Sequence, residues 1–305
     1  MVKIVNNIAI CIPTFKRNEL LKKLIGSIEK QDLTYFKNYT IEIIVIDNDS
    51  SKSAKKIAEK KSSLNISYYS DPRKGLSNVR NSAIQLAIKK DCSYMAFLDD
   101  DEEILTEYWL ENLFKCMLNH NADVVSGPVL TEYSEETANW IINSKFFDRK
   151  RYKTGTHMNY VGAGNVLINM RVIKENPNLY FDENFNYSGG EDTDFFFYLK
   201  NKGYKLVWCD EAVVKEALVK KRAKLKYMIT RSLNGGMIFT KCQLKYSGNP
   251  KKKKIVIIIN SILKMTVYLF LSMIFYGKRL NYLLKSFAQI GRFIGTFTNN
   301  INMYK

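Results

Sequence analysis

Short apolar runs recur along the first half of the chain, and each leads into a polar loop and then a segment with helical spacing. Three of them are Ile8–Ile12, Ile41–Ile46 and Tyr94–Leu98. Runs of this length, bounded by turn residues, are typical of buried strands. Strands that alternate with helices favour a parallel sheet covered on both faces. The sequence therefore predicts an α/β fold with a mostly parallel, Rossmann-like sheet flanked by helices.

Two further segments carry weaker patterns. The apolar spacing within residues 104–120 predicts another helix. The mixture of polar, aromatic and basic residues from Gly127 to about Tyr160 predicts an irregular, mobile loop that faces the substrate.

Five acidic residues, Asp99 to Glu103, directly follow the apolar run Tyr94–Leu98. Ligands of open α/β sheets bind at the carboxyl ends of the strands. Neighbouring carboxylates repel one another unless a cation lies between them, and Mg²⁺ and Mn²⁺ prefer oxygen ligands. Mg²⁺ is typically held by one or two carboxylates plus phosphates, which predicts a ligand with a diphosphate. The alternative is a solvated acidic turn before a helix, and these residues alone leave both interpretations open.

A second acidic cluster, Glu191 to Asp194, follows two glycines and precedes a segment with helical spacing. Carboxylates at a helix N-terminus are stabilised in their charged form by the helix dipole. An ionised carboxylate that faces a cleft can act as a general base. The other interpretation is an ordinary helix start with acidic residues in its first turn.

The amino-acid composition excludes some kinds of metal and nucleotide site. The chain has only two histidines, which excludes a His-rich metal site, and five cysteines without paired metal-type spacing. We expect these cysteines to be reduced thiols of a cytoplasmic protein, and the first apolar run is too short for a signal peptide. Neither GxGxxG nor GxxxxGK[ST] occurs. A nucleotide would then be held by side chains at strand ends and by a metal ion.

The C-terminal third is strongly basic. Residues 215–305 contain 19 Lys and Arg and a single acid, Glu216, in a chain of net charge +17. Lys251–Lys254 precede an apolar stretch, Ile255–Tyr276, and an amphipathic stretch, Leu280–Phe297. This pattern favours helices that lie on an anionic membrane surface rather than nucleic acid. A spanning hairpin and helices packed on a soluble domain are the alternatives.

Six motifs occur in an order and spacing that resemble the family 2 glycosyltransferases, which have the GT-A fold. They lie within residues 6–232 and read IAICIPTFKR, IEIIVIDNDSS, KGLSNVRNSAI, YMAFLDDDEEI, GAGNVLI and SGGEDTDFFFYLKNKGYKLVW. The resemblance predicts a GT-A domain over residues 1–232 and a basic helical tail over residues 233–305.

The resemblance implies an inverting transfer from a nucleotide-sugar, most often a UDP-sugar, with Mn²⁺ or Mg²⁺ as cofactor. It implies that Asp101 and Asp99 bind the metal and that Asp192 is the catalytic base, with Glu191 beside it. The residues implied to lie around the nucleotide are Thr14, Arg17, Asp47, Arg80, Asp99, Asp100 and Arg222.

Two departures from the family pattern matter. Many relatives have a metal-binding His after the last strand, where this chain has Val214, Lys215 and Glu216. The QxxRW motif of processive synthases is absent, which indicates one sugar added per encounter.

The tail suggests where the acceptor is found. A protein held on the inner face of the cell membrane would act on a lipid-linked or cell-surface glycan. A nucleic-acid-binding protein and a sugar nucleotidyltransferase are the rival functions, although the latter would normally carry a glycine-rich N-terminal loop. The sequence leaves the sugar, the linkage and the oligomeric state open.

Overall fold

The computed structural model describes residues 6–186 and 188–298. The strands are β1 (Asn6–Thr14), β2 (Tyr39–Asp47), β3 (Asn65–Ser70), β4 (Tyr94–Phe97), β5 (Glu102–Ile104), β6 (Val124–Ser126), β7 (Val129–Glu132), β8 (Val166–Asn169), β9 (Leu206–Trp208) and β10 (Val214–Ala217). The helices are α1 (Asn18–Ile28), α2 (Lys55–Ala58), α3 (Leu76–Lys89), α4 (Trp109–Asn119), α5 (Asn139–Ser144), α6 (Arg171–Lys174), α7 (Glu191–Asn201), α8 (Leu225–Lys245), α9 (Pro250–Ile274) and α10 (Arg279–Ile294).

The main sheet has seven strands in the order β3-β2-β1-β4-β8-β6-β9. Strand β1 pairs in parallel with β2 and β4, and β2 pairs in parallel with β3. Strand β8 runs antiparallel to both of its neighbours, β4 and β6. The predicted α/β fold with a mostly parallel sheet flanked by helices is therefore confirmed.

Strand β1 is buried on both faces, which explains its uninterrupted apolar run. Ile8, Ile10 and Ile12 face one core, while Ala9 and Cys11 face the other. The first core includes residues of α1 and α4, and the second includes residues of α3 and α7. Because both layers of helices bury apolar area against the sheet, they fix the positions of the strand ends.

The helix predicted over residues 104–120 is wrong in its first part. Residues Glu102–Ile104 form β5, which pairs antiparallel with β10, and the helix begins only at Trp109. Pairing with a strand more than 100 residues later is not visible in local periodicity. The predicted irregular loop is also too simple a description, because residues 127–160 include β7 and α5.

A second, three-stranded sheet has the order β5-β10-β7. In its register Glu216 lies opposite Glu102. The strand that follows the first acidic cluster is thus tied to the segment that leads into the C-terminal helices.

Helices α8 and α10 are packed closely against each other through glycines. A Cβ added at Gly236 of α8 would overlap the carbonyl oxygen of Ala288, and one at Gly291 of α10 would overlap that of Leu233. Backbones this close require glycine on the facing surfaces. Helix α8 also runs without a break across residues 232 and 233, where the sequence predicts a domain boundary.

Helix α9 is the one helix of the described residues that is long and apolar enough to cross a membrane. Much of its apolar surface is exposed, including Ile255, Ile259, Leu263, Phe270 and Met273. The predicted basic helical region that can associate with a membrane therefore exists as a pair of helices, α9 and α10, packed on each other.

Candidate active site

A cleft of about 920 Å³ opens at the carboxyl ends of β1 and β4. Its walls come from the loop after β1, the first acidic cluster, the start of α7, and helices α8 and α10. Nine of the predicted site residues line it: Thr14, Arg17, Arg80, Asp99, Asp100, Asp101, Glu191, Asp192 and Arg222. The fold thus brings two acidic clusters that are about 90 residues apart in the sequence to one cavity.

Asp100 and Asp101 share the guanidinium of Arg17, whose Nη1 lies 2.8 Å from a carboxylate oxygen of each. The hydroxyl of Thr14 donates to Asp100 at 2.8 Å. Burial raises the pKa of Asp101, and the negative charge of Asp99 raises it further, while Arg17 lowers it. The loop after β1 therefore partly neutralises the first acidic cluster.

Arg80 on α3 connects the two clusters. Its Nη2 lies 3.1 Å from Asp99 and its Nη1 lies 2.5 Å from Glu191, and all but 3% of its side chain is buried. Burial raises the pKa of Glu191, and Arg80 opposes that rise. The resemblance placed Arg80 near the nucleotide; in the structure it also fixes the distance between the clusters.

Asp192 lies in the first turn of α7, and two glycines directly precede this helix. Gly190 adopts a left-handed conformation with φ of 94°, which only glycine adopts at low cost and which orients the start of the helix. Oδ1 of Asp192 accepts a hydrogen bond from the backbone N–H of Thr193 at 2.6 Å. A Cβ added at Gly162 would lie 3.7 Å from Oδ2, so this oxygen lies beside small backbone atoms. Asp192 is half-buried and lines the cleft, where a hydroxyl can reach it.

Asp47 lies apart from the cleft. Its carboxylate accepts hydrogen bonds from the backbone N–H groups of Asp49 and Ala54 and from the hydroxyl of Tyr68. The side chain is fully buried and organises the loop after β2. The structure therefore gives Asp47 a role in holding the loop after β2. Its predicted position beside the nucleotide stays a prediction.

The residues around Asp99 fit a divalent cation whose coordination is completed by a ligand. One oxygen of Glu102 is buried without a hydrogen-bond partner, and Gly164 lies against the carboxylates of Glu102 and Asp99. Within the described residues no three His, Cys, Asp or Glu side chains are arranged to hold a metal alone. Sites with one or two carboxylates, completed by phosphate and water, are the usual form for Mg²⁺.

Three arginines of the cleft carry charge that the sequence did not mark as functional. Arg149 lies 2.9 Å from Glu216, the residue that stands near the missing histidine. Arg231 on α8 and Arg292 on α10 also line the cleft. None of them belongs to a recognisable motif, and only the pairing of β10 and the packing of α8 on α10 bring them here.

The model of the family described as glycosyl transferase family 2 matches residues 9–176, which is more than half of the chain. The chain belongs to this family. It is therefore a glycosyltransferase, as the sequence motifs predicted, and the rival nucleotidyltransferase assignment is not favoured.

Curated relatives agree with this assignment. The succinoglycan biosynthesis protein ExoM of Rhizobium meliloti (strain 1021) is 27% identical over 241 residues, which cover 75% of this chain and 72% of ExoM. The chondroitin synthase of Pasteurella multocida is 27% identical over 230 residues, but they cover only 23% of that longer protein. A Campylobacter jejuni protein named GalNAc(5)-diNAcBac-PP-undecaprenol beta-1,3-glucosyltransferase is 34% identical over 103 residues, 31% of its length.

Solved structures confirm the GT-A fold. Residues 1–349 of S. aureus TarS, crystallised in complex with UDP-GlcNAc, superpose with a TM-score of 0.55 at 15% identity. The match covers 93% of this chain and 90% of that one. A TarS structure with UDP gives a TM-score of 0.52.

Proposed function

We propose that this family 2 glycosyltransferase transfers one sugar, with inversion, from a UDP-sugar to a hydroxyl of a lipid-linked or cell-surface glycan. The observation that carries the proposal is that Asp99, Asp101 and Asp192 line a single cleft. A cavity of about 920 Å³ is large enough for a nucleotide-sugar and part of an acceptor.

Asp192 acts as the general base in this proposal. Its Oδ2 faces the cleft, and its Oδ1 is held by the Thr193 N–H at the start of α7. The carboxylate removes the proton of the acceptor hydroxyl as that oxygen attacks the anomeric carbon from the side opposite the leaving group. General-base assistance of this kind contributes about 10²–10⁴-fold in rate.

The nucleoside diphosphate leaves with growing negative charge. Mg²⁺ or Mn²⁺ held by Asp101 and Asp99 supplies electrostatic stabilisation of that charge when bound. Arg222 lines the same cleft and can contact the departing diphosphate. Thr14 and Arg17 hold the Asp100 and Asp101 carboxylates in place on the side where the nucleotide binds.

The protein would work on the inner face of the cell membrane. Helix α9 carries Lys251–Lys254 in its first turns and exposes a long apolar surface, a combination that favours anionic lipid. Named relatives that act in succinoglycan biosynthesis and on an undecaprenol-linked glycan support an acceptor of that class. The sugar and the linkage stay open.

Hydrolysis of UDP-sugars tests the proposal without knowledge of the acceptor. Purified protein is incubated with a panel of UDP-sugars and Mn²⁺ or Mg²⁺, and released UDP is measured. We expect slow hydrolysis of one sugar donor and its loss in EDTA. If no UDP-sugar is bound or hydrolysed under any metal condition, the proposal fails.

A further inference from the structure

Two arginines of the C-terminal helices line the cleft without a carboxylate partner among the described residues. Arg231 on α8 donates to the Tyr227 hydroxyl at 3.2 Å, and Arg292 on α10 donates to the Gln243 side-chain oxygen at 2.9 Å. Arg17, Arg80 and Arg149, in contrast, are all paired with acids. No carboxylate among the described residues therefore neutralises the positive charge of Arg231 and Arg292.

Arg292 is the better placed of the two. It is half-buried, and its guanidinium lies 4.9 Å from the centre of the Phe239 ring. An arginine withdrawn from water without an anion is costly, and an aromatic face offsets only part of that cost. Such a site is stabilised when an anionic ligand enters it.

The aromatic residues around Arg292 place it on the acceptor side of the cleft. The Tyr160 ring lies 5.5 Å from the Phe239 ring that Arg292 also contacts. Gly162, two residues after Tyr160, lies beside the Asp192 carboxylate, and all of these residues line the cleft. Asp192 is the proposed base, so the acceptor hydroxyl must approach it. The nucleotide side, with Thr14 and Arg17, lies at the end of β1 instead.

Helix α10 joins this part of the cleft to the apolar helix. It places Ala288, Gln289 and Arg292 in the cleft wall, and it packs against α9 along its length. A phosphoryl group between a membrane-bound lipid and the reacting sugar would enter the cleft from the side of α9 and α10.

We propose that Arg292 and Arg231 form a subsite for the phosphoryl group of the acceptor, so that the enzyme acts on a glycan linked to lipid through a diphosphate. This rests on the proposed function and specifies its acceptor class. Arginine suits the role because its planar group binds phosphate oxygens in pairs.

Titration of the full-length protein in neutral detergent tests the subsite. Farnesyl diphosphate, farnesol and inorganic pyrophosphate are the probes, and saturating UDP with Mn²⁺ occupies the sugar-donor pocket. We expect farnesyl diphosphate to bind and Arg292→Gln to weaken it about tenfold, with a smaller loss for the exposed Arg231→Gln. Farnesol binding should not depend on either arginine. If pyrophosphate binds as tightly as farnesyl diphosphate, the arginines recognise the diphosphate alone. If pyrophosphate binds more weakly, the lipid chain also contributes to the affinity.

Two controls separate charge from folding. Arg292→Lys keeps the charge and should retain most of the affinity, and Arg279→Gln removes the same charge from α10 outside the cleft and should change nothing. The subsite is wrong if farnesyl diphosphate binds Arg292→Gln and Arg231→Gln as well as it binds the wild type, or if these variants lose UDP affinity instead. Failure of UDP binding in the wild type would instead count against the proposed function.

Discussion

Arg80 and Glu191 lie 111 residues apart in the sequence and form a buried ion pair at 2.5 Å beside the cleft. Arg80 is 3% exposed and Glu191 is 8% exposed, so water screens the pair little. Through its second nitrogen Arg80 also holds Asp99. A single side chain of α3 therefore sets the spacing between the proposed metal site and the proposed base.

Removal of Arg80 should destabilise the fold strongly. Arg80→Met leaves the charge of Glu191 buried without a partner, and loss of one member of a buried pair costs about 3–5 kcal/mol. Urea unfolding measures this cost. Arg80→Met combined with Glu191→Gln should recover part of the lost free energy of unfolding, because the unpaired charge of Glu191 is then removed. Lys174→Gln breaks an exposed pair with Asp91 and serves as the control, with an expected cost below about 1 kcal/mol.

Asp192→Asn should abolish sugar transfer and leave UDP binding intact. The amide cannot accept the proton of the acceptor, so turnover should fall by about 10²–10⁴-fold. Turnover with the identified sugar donor and calorimetric titration with UDP give the two readouts. Asp91→Asn, an exposed change outside the cleft, should alter neither. Unchanged turnover in Asp192→Asn would remove the base assignment.

Asp101→Asn should weaken UDP binding only when metal is present. The amide is a poorer ligand for a hard divalent ion than the carboxylate, so the gain in UDP affinity from Mn²⁺ should shrink about tenfold or more. Titrations in Mn²⁺ and in EDTA are compared for wild type and variant. An equal loss under both conditions would indicate that Asp101 acts through Arg17 rather than through the metal.

Two adjacent glycines of α8 provide a matched test of how tightly the C-terminal helices are packed. A Cβ at Gly236 overlaps the α10 backbone, whereas a Cβ at Gly235 meets no atom within 4 Å. Gly236→Ala should therefore cost about 1–3 kcal/mol in unfolding free energy, as over-packing does. Gly235→Ala should be neutral or stabilise by up to about 1 kcal/mol through helix propensity. Equal effects would show that α10 is not fixed against α8 in solution.

Lys251→Gln with Lys252→Gln should weaken binding to anionic vesicles. Both side chains are exposed in the first turn of α9, and two cations near acidic lipid together contribute on the order of tenfold in affinity. Co-sedimentation with phosphatidylserine and with phosphatidylcholine vesicles, at two salt concentrations, measures the effect. Lys22→Gln with Lys23→Gln removes equal charge from α1 and should not matter. Salt-sensitive binding to RNA in place of vesicles would favour the nucleic-acid rival.

Several strands of the main sheet, and the positions of the two acidic clusters beside a strand and at a helix start, could be predicted from local patterns. Apolar runs such as Ile8–Ile12 reveal buried strands, and the carboxylates that follow Phe97 and Leu98 must then lie at a sheet edge. Family motifs added roles to Asp101 and Asp192 that the residues alone left undecided.

Other features depend on contacts between distant segments and have no local signal. Strand β5 forms because β10 pairs with it, so residues 102–104 look like the start of a helix until that partner is known. Asp47 stands at the end of a strand, where a residue that binds a nucleotide is expected. Both of its carboxylate oxygens instead accept hydrogen bonds from backbone N–H groups of the turn after β2. Arg292 reaches the cleft only through the glycine contacts between α8 and α10.

Those glycine contacts also join the wall of the cleft to the C-terminal helices. Because α10 supplies part of the cavity wall and packs on the apolar helix α9, an exchange of the last 80 residues between family members would replace part of the pocket together with that helix. A chimera made in this way would therefore test acceptor preference and membrane binding at the same time.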